Sequence, residues 1–155
     1  MIATRMLFTI AVLTTTACGG RVLGESAPND ITPDPGEAPR ASAFADPFHP
    51  GQSWIGTYTC AQGLTDLDFK IVAAHDDVID DAIFVFDWKS GGVIGSYHLS
   101  GTFDTSTGVA TFTPGEWIDQ PDGWVSVGLH GPASDAGFSG DITNGSCTTF
   151  SVEKS

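Results

Sequence analysis

The stretch WIGTYTCAQGLTDLDFKIVAA, residues 54–74, decides the fold of this chain. Apolar and polar residues alternate along it from Trp54 onward, which is typical of β-strands with one buried face. The connection AQG, residues 61–63, is short enough to be the turn of a hairpin. We therefore predict two antiparallel strands that begin an all-β domain.

The same alternation continues to the end of the chain, except that the third predicted strand, near residues 79–88, is apolar on both faces. The turn sequences HDD, KSGG, DTSTG, PDG and NG separate short apolar segments, spaced about 12 residues apart. No stretch shows the 3.6-residue period of an amphipathic helix. Eight strands in consecutive hairpins predict a single small antiparallel up-and-down β-barrel, and a β-sandwich of the same strands is the alternative.

Two cysteines mark the ends of this run of strands. Cys60 lies in the first predicted strand and Cys147 in the last. The first and last strands of a closed meander are neighbours, so the two thiols can meet there, whereas an open meander would separate them. Export to an oxidising compartment would favour the bond. We predict a Cys60–Cys147 disulfide that joins the two ends of the barrel.

One predicted connection, PGEWIDQPDG at residues 114–123, is longer than a turn requires. Long connections inside compact domains tend to be functional. Trp117, Ile118 and Gln120 combine apolar surface with a hydrogen-bonding group, and Trp124 follows where the next predicted strand begins. These four residues are our candidate ligand-binding residues. The alternative is that the loop folds back and Trp117 plugs the end of the barrel.

Residues 1–18, MIATRMLFTIAVLTTTAC, have the features of a signal sequence. TTAC followed by Gly-Gly resembles the lipobox of bacterial lipoproteins, whose cysteine is acylated and becomes the mature N-terminus. The resemblance implies that Cys18 carries lipid such as palmitate and anchors the protein in a membrane of the cell envelope. By the sorting rule of enteric lipoproteins, Gly19 implies the outer membrane. Thr15 stands where the family usually has leucine, and cleavage that leaves Cys18 unmodified is the alternative.

Residues 19–52 are rich in Pro, Ala, Gly, Asp and Glu and have no apolar periodicity. This composition predicts a disordered tether between the anchor and a barrel domain at residues 53–155. Phe44 and Phe48 are the exception, because aromatic side chains in a tether either dock on the domain or are residual apolar scatter. The composition of the segment favours scatter.

The chain is strongly acidic, with 19 Asp and Glu against 6 Lys and Arg and a net charge of −13. Such a surface repels phosphate backbones, which excludes nucleic acid as a partner. The histidines lack metal-ligand spacing, and no GxSxG nucleophile motif is present. We predict no cofactor, no metal site and no catalytic residues, although the crowded carboxylates of HDDVIDD, residues 75–81, raise the odds of a loosely bound cation.

The segment Trp54–Tyr58 has the form W-x-G-x-Y and opens an eight-strand meander that is closed end to end. This layout resembles the calycin architecture of lipocalins and avidins over residues 54–152, which implies a barrel but places no ligand-contact motif. We predict an envelope lipoprotein that is a non-catalytic binding module for a small molecule, a glycan or a protein. A structural or protein-interaction component with a solid barrel core is the alternative, and a hydrolytic enzyme is less favoured. A cavity inside the barrel would favour ligand binding.

Overall fold

The computed structural model describes residues 44–155, so the signal sequence, Cys18 and most of the predicted tether lie outside the described residues. Each strand pairs with the next in antiparallel fashion, and the first also pairs with the last, which closes a barrel. The predicted up-and-down barrel is confirmed. Within residues 44–155, no helix is long and apolar enough to span a lipid bilayer. The strands are β1 Ser53–Cys60, β2 Gly63–His75, β3 Val78–Trp88, β4 Val93–Asp104, β5 Val109–Asp119, β6 Leu129–Ser134, β7 Gly137–Ile142 and β8 Cys147–Lys154.

The seam between β1 and β8 carries the disulfide. The ladder contains five pairs up to Tyr58↔Phe150, and a register shift then precedes the pairing of Cys60 with Cys147. These two cysteines are bonded, so the predicted disulfide is confirmed. Gly56 allows the close approach of the strands, because a Cβ at this position would lie 1.9 Å from the Ser151 carbonyl oxygen.

The up-and-down order gives the barrel two different ends. The start of β1, the end of β8 and the hairpins β2–β3, β4–β5 and β6–β7 lie together at one end, here termed the closed end. The hairpins β1–β2, β3–β4 and β7–β8, the β5–β6 loop and the disulfide lie at the other end, here termed the mouth. The two ends are covered in different ways.

The segment before β1 covers the closed end. Phe48 is fully buried, and the Ile71 amide donates to the Gln52 carbonyl at 2.9 Å beside it. The expectation of apolar scatter is therefore wrong for Phe48: the ring fills space that the strands leave at this end. A single aromatic residue among prolines carries no periodicity from which this position follows. The Phe48 ring packs against Trp54, Phe69, Phe103, Phe112 and Phe138.

Aromatic and aliphatic side chains fill the interior of the barrel. Phe84 stacks on Tyr97 with ring centroids 4.7 Å apart, and Phe138 meets Phe150 edge-on at 4.6 Å. Both pairs lie among side chains that are almost completely withdrawn from solvent. Of the depressions found in residues 44–155, one opens at the mouth, two lie on the outer wall, and one lies at the closed end beside the β4–β5 and β6–β7 turns.

The boundaries of β5 and β6 differ from those predicted. β5 continues through Pro114 to Asp119, and register shifts against β4 accommodate the proline, which is tolerated at such irregularities. The loop covers residues 120–128, and β6 begins only at Leu129. The predicted loop at 114–123 is therefore wrong, and so is a strand starting at Trp124. The side chains of Tyr97, in β4, and Asn144, in the β7–β8 turn, bind the backbone of 126–128 in place of a neighbouring ladder.

Candidate functional site

Hydrogen bonds from two other elements hold the β5–β6 loop over the mouth. The Tyr97 hydroxyl donates to the Val127 carbonyl at 2.9 Å and accepts from the Val127 amide at 3.1 Å. The Asn144 side chain accepts from the Gly128 amide at 2.7 Å and donates to the Ser126 carbonyl. Burial raises the pKa of the Tyr97 hydroxyl, which keeps it a neutral donor. The loop is thus preorganised by four polar contacts, of which the two made by Tyr97 are buried.

Trp124 and Trp88 present indole rings at the inner side of this loop. The Trp124 ring stacks on Phe86 with centroids 4.7 Å apart and an interplanar angle of 17°. Its centroid lies 6.1 Å from that of Trp88. The β3–β4 turn fixes Trp88, because a Cβ at Gly91 would lie 2.0 Å from the indole. Gln120 fixes Trp124 from the loop by donating to its carbonyl at 3.2 Å.

A pocket of about 300 Å³ opens between this loop and the disulfide, and we term it the mouth pocket. Trp88, Trp124, Val125 and Val127 form its apolar side. Its volume lies at the lower end of the range of small-molecule sites, which suits one ring or one side chain. None of the residues that line it carries a charge at neutral pH, since its two cysteines are joined in the disulfide.

Tyr58, Gln62 and Ser146 form the polar side of the mouth pocket. Behind them lies Thr65, a polar residue only 1% exposed, whose hydroxyl accepts a hydrogen bond from the Gln62 amide nitrogen at 3.4 Å. Burial raises the pKa of the Tyr58 hydroxyl, so this group is also neutral. The pocket therefore combines aromatic surface with amide and hydroxyl groups.

The four candidate binding residues have different positions. Trp124 lines the mouth pocket, whereas Trp117 lies in β5 and is partly buried, with its ring 4.9 Å from that of Tyr97. Trp117 therefore belongs to a strand and not to a loop that folds back over the barrel end. Ile118 is 51% exposed. Gln120 is also exposed and holds the loop through the carbonyl of Trp124.

Neither the polar side of the pocket nor the hydrogen bonds of Asn144 were predicted from the sequence. The order of the turns in the barrel is a signal that could have located these residues. Alternate turns of an up-and-down barrel meet at the same end, so the turns at 61–63, 89–92 and 143–146 all belong to the mouth. Trp88 ends the strand that precedes the second of these turns. Grouping the turns in this way would have placed Gln62, Trp88 and Ser146 together.

A larger depression of about 480 Å³ lies on the outer wall across β8, β1, β2 and β3. Ile55 and Val85 contribute apolar surface to it, and carboxylates surround them. Asp66 and Asp87 are opposite each other in the ladder, and Lys89 forms an ion pair with Asp66. Exposed charges that are paired with a nearby counter-ion are typical of a solvated protein surface. The mouth pocket is therefore a better candidate for a binding site than this depression on the outer wall.

Two of the four carboxylates of residues 75–81 are paired with histidines. His75 Nδ1 lies 2.8 Å from Asp80, and His98 Nδ1 lies 2.7 Å from Asp81. The hydrogen bond and charge of Asp80 raise the pKa of His75. Across residues 44–155, no group of three or more His, Cys, Asp or Glu side chains is placed to hold a metal ion.

Comparison with protein-family models, curated proteins and solved structures finds no match to this chain. The closed eight-stranded barrel is consistent in layout with a small calycin-like barrel. Layout alone does not define a function.

Proposed function

We propose that this protein is a lipid-anchored binding module of the bacterial cell envelope, with an acylated Cys18 as its anchor and the mouth pocket as its binding site. The signal sequence and the TTAC-Gly-Gly motif support the anchor and an outer-membrane location. The lining of the pocket supports binding rather than catalysis, because no carboxylate, histidine or lysine borders it as a general acid or base.

The observation that carries this proposal is that the chain enters the barrel at the end opposite the mouth. The Phe44 amide donates to the Thr105 carbonyl at 3.0 Å, in the β4–β5 turn of the closed end. A tether that reaches the barrel at this end leaves the mouth free to meet a ligand. Of the sites described above, the mouth pocket alone combines this position with aromatic surface.

The filled interior separates this barrel from one that holds a ligand inside. Side chains of the protein itself occupy the central space, including Phe48 at the closed end and the stacked pair Phe84 and Tyr97. The ligand is therefore a group that contacts the mouth from outside: a small molecule, a glycan residue or a side chain of another protein.

A protein-interaction component of the envelope is the second candidate, and both the filled interior and the exposed apolar residues around the mouth favour it. Single exposed apolar residues need no explanation, but several around one opening can form part of an interface. In such a protein the mouth would receive an apolar side chain of a partner. The four exposed residues are Leu64 at 64%, Ile94 at 59%, Ile118 at 51% and Val125 at 64%.

The anchor is tested by metabolic labelling with a radioactive fatty acid. We expect label in the wild type and none in Cys18→Ser, because the thiol is the acylated group. The same labelling in both proteins would show that Cys18 is not the acylated residue.

The binding site is tested by placing a photo-crosslinking amino acid at Val125 in the full-length protein in its own envelope. Val72 provides the matched control, since it is also exposed but lies on the outer wall. We expect adducts at Val125 only. A large mass increase on a gel would favour the protein-interaction candidate, and a small one by mass spectrometry would favour a small ligand. Equal adducts at both positions, or none, would contradict the mouth as binding site.

A further inference from the structure

We infer that the mouth pocket binds a neutral sugar ring, the terminal residue of a glycan, with Trp88 as the stacking platform and Gln62 as the group that recognises hydroxyls. This inference rests on the proposed function, because it names the ligand class of the same pocket. Three features carry it: the charge of the domain, the arrangement of the two indoles and the polar side of the pocket.

The charge of the domain selects against ions. Residues 44–155 contain three lysines and 15 aspartates and glutamates, which give a formal net charge of −12. This field repels anions such as uronates, phosphates and fatty acids. A cation would be attracted to the domain but would find no carboxylate among the residues that line the pocket. A neutral ligand fits both facts.

The two indoles form a surface rather than a slot. Their centroids are 6.1 Å apart and their planes meet at 51°. A ring held between two others needs about 7 Å, twice the carbon–carbon contact distance, so a ligand ring rests on the surface that Trp88 and Trp124 present together. Phe86 supports Trp124 from behind, and Gly91 abuts Trp88. A rigid aromatic surface of this kind accepts the C–H face of a sugar at little cost in conformational entropy.

The polar side of the pocket matches the hydroxyl edge of the same ring. Gln62 uses one amide hydrogen on Thr65 and keeps its carbonyl oxygen and second hydrogen available. Ser146 is exposed at the pocket, and the almost fully buried Tyr58 also lines it. A purely apolar ligand would desolvate these groups without replacing their hydrogen bonds, which is unfavourable. A sugar has one face for the indoles and an edge for the amide and hydroxyls.

The test is a titration of the detergent-solubilised full-length protein, followed by tryptophan fluorescence and calorimetry. The probes are neutral oligosaccharides of glucose, galactose, mannose and N-acetylglucosamine, the uronate counterpart of galactose, and the neutral apolar dye Nile red. We expect at least one neutral oligosaccharide to bind and the uronate to bind at least tenfold more weakly. Trp88→Ala should weaken sugar binding at least tenfold, and Gln62→Ala about fivefold.

The variants are chosen so that a folding defect does not imitate a loss of binding. Gln62 lies half-exposed in a turn, so Gln62→Ala should fold normally, and Trp88→Phe should keep part of the affinity through its smaller ring. Ile55→Ala on the outer wall is the matched control and should bind like the wild type. Unchanged sugar affinity in both Gln62→Ala and Trp88→Phe would overturn the assignment.

The failure of this inference can be distinguished from the failure of the proposed function. Binding of Nile red at the mouth with no sugar bound would overturn the glycan class and leave the mouth as a binding site. Equal binding of the uronate would overturn the selection for neutral ligands. If no probe binds and Val125 gives no crosslink in the envelope, both proposals fail.

Discussion

The closed end and the mouth of this barrel are covered by different means. At the closed end, Phe48 inserts its own side chain among five aromatic rings. At the mouth, hydrogen bonds to Val127 and Gly128 hold a loop across the opening beside the disulfide, and Trp88 and Trp124 are left half-exposed. At the closed end the Phe48 ring fills the space between the strands, whereas at the mouth a loop held by polar contacts leaves aromatic surface available.

The two ends should also respond differently to substitution. Deleting a buried aromatic ring costs several kcal/mol through lost burial and the cavity left behind. A typical hydrogen bond contributes only about 0.5 to 1.5 kcal/mol. The disulfide is a separate case, because its main effect is on the unfolded chain. Removal of these contacts one at a time therefore tests the comparison.

The largest effect is expected from Cys60→Ser combined with Cys147→Ser. The bond closes a loop with a sequence separation of 87 residues, so in the chain-entropy model its loss lowers the free energy of unfolding by about 4 to 5 kcal/mol. Urea denaturation of the oxidised wild type and the double variant measures the difference. The five remaining pairs of the β1–β8 ladder should preserve the barrel, so the far-ultraviolet circular dichroism should not change. A loss below about 1 kcal/mol would contradict the expected effect on the unfolded chain.

Phe48→Ala at the closed end should have the next largest effect. The ring is fully buried, so its removal should lower the free energy of unfolding by about 3 to 4 kcal/mol. Phe44→Ala is the matched control, because this ring belongs to the same segment but is 46% exposed and should change stability by less than about 0.5 kcal/mol. The measurement is urea denaturation of both variants. Equal effects would mean that Phe48 does not seal the closed end.

Phe48 also shows where inference from sequence stops. Strands β1, β2 and β4 were predictable because each alternates with period two and ends in a turn sequence, and β3 because its apolar run lies between two turn sequences. Phe48 belongs to no periodic segment. Its burial depends on the space left when eight strands close, which is a property of the assembled barrel and not of neighbouring residues.

The mouth was harder to predict for a related reason. Residues 124–130 alternate like a strand, but residues 124–128 form a loop because Tyr97 and Asn144 bind its backbone from distant parts of the chain. Pro114 suggested a loop, but β5 passes through it where the register with β4 shifts. Cys60 and Cys147 were predictable because the closed topology alone brings them together. Contacts that depend on one side chain meeting one backbone group were not.

Tyr97→Phe should have an intermediate effect confined to the mouth. The hydroxyl makes two hydrogen bonds to the buried Val127 backbone, and its loss should lower the free energy of unfolding by about 2 kcal/mol. The Val127 amide should also exchange its hydrogen faster, as nuclear magnetic resonance can measure. Tyr58→Phe is the control, because Tyr58 is equally buried but does not bind the loop. Unchanged exchange in Tyr97→Phe would mean that other contacts hold the loop.

Two carboxylates at the closed end provide the finest comparison, because their pKa values are displaced in opposite directions. Burial raises the pKa of Asp46, although its hydrogen bond from the Phe48 amide at 2.8 Å opposes the shift. Hydrogen bonds from the Ser106 side chain and backbone lower the pKa of Asp104, which is exposed to solvent. Ionisation of Asp46 is therefore less favourable in the folded state than in the unfolded state, whereas ionisation of Asp104 is more favourable in the folded state.

Asp46→Asn should therefore have the smallest effect and a defined sign. A raised folded pKa gives a contribution to stability that is fully present below the unfolded pKa and is lost as the pH rises through the folded pKa. Asparagine keeps the oxygen that accepts from the Phe48 amide but removes the charge. The variant should match the wild type near pH 3 and be more stable at pH 7, by less than about 1 kcal/mol because the site is partly solvated. Urea midpoints from pH 3 to pH 7, taken as the difference between variant and wild type, isolate this group from the other carboxylates.

Asp104→Asn is the control and should be less stable at pH 7, since the contribution of a lowered pKa is present above the unfolded pKa and lost as the pH falls. The same sign in both variants would show that desolvation by the Phe48 segment does not act on Asp46.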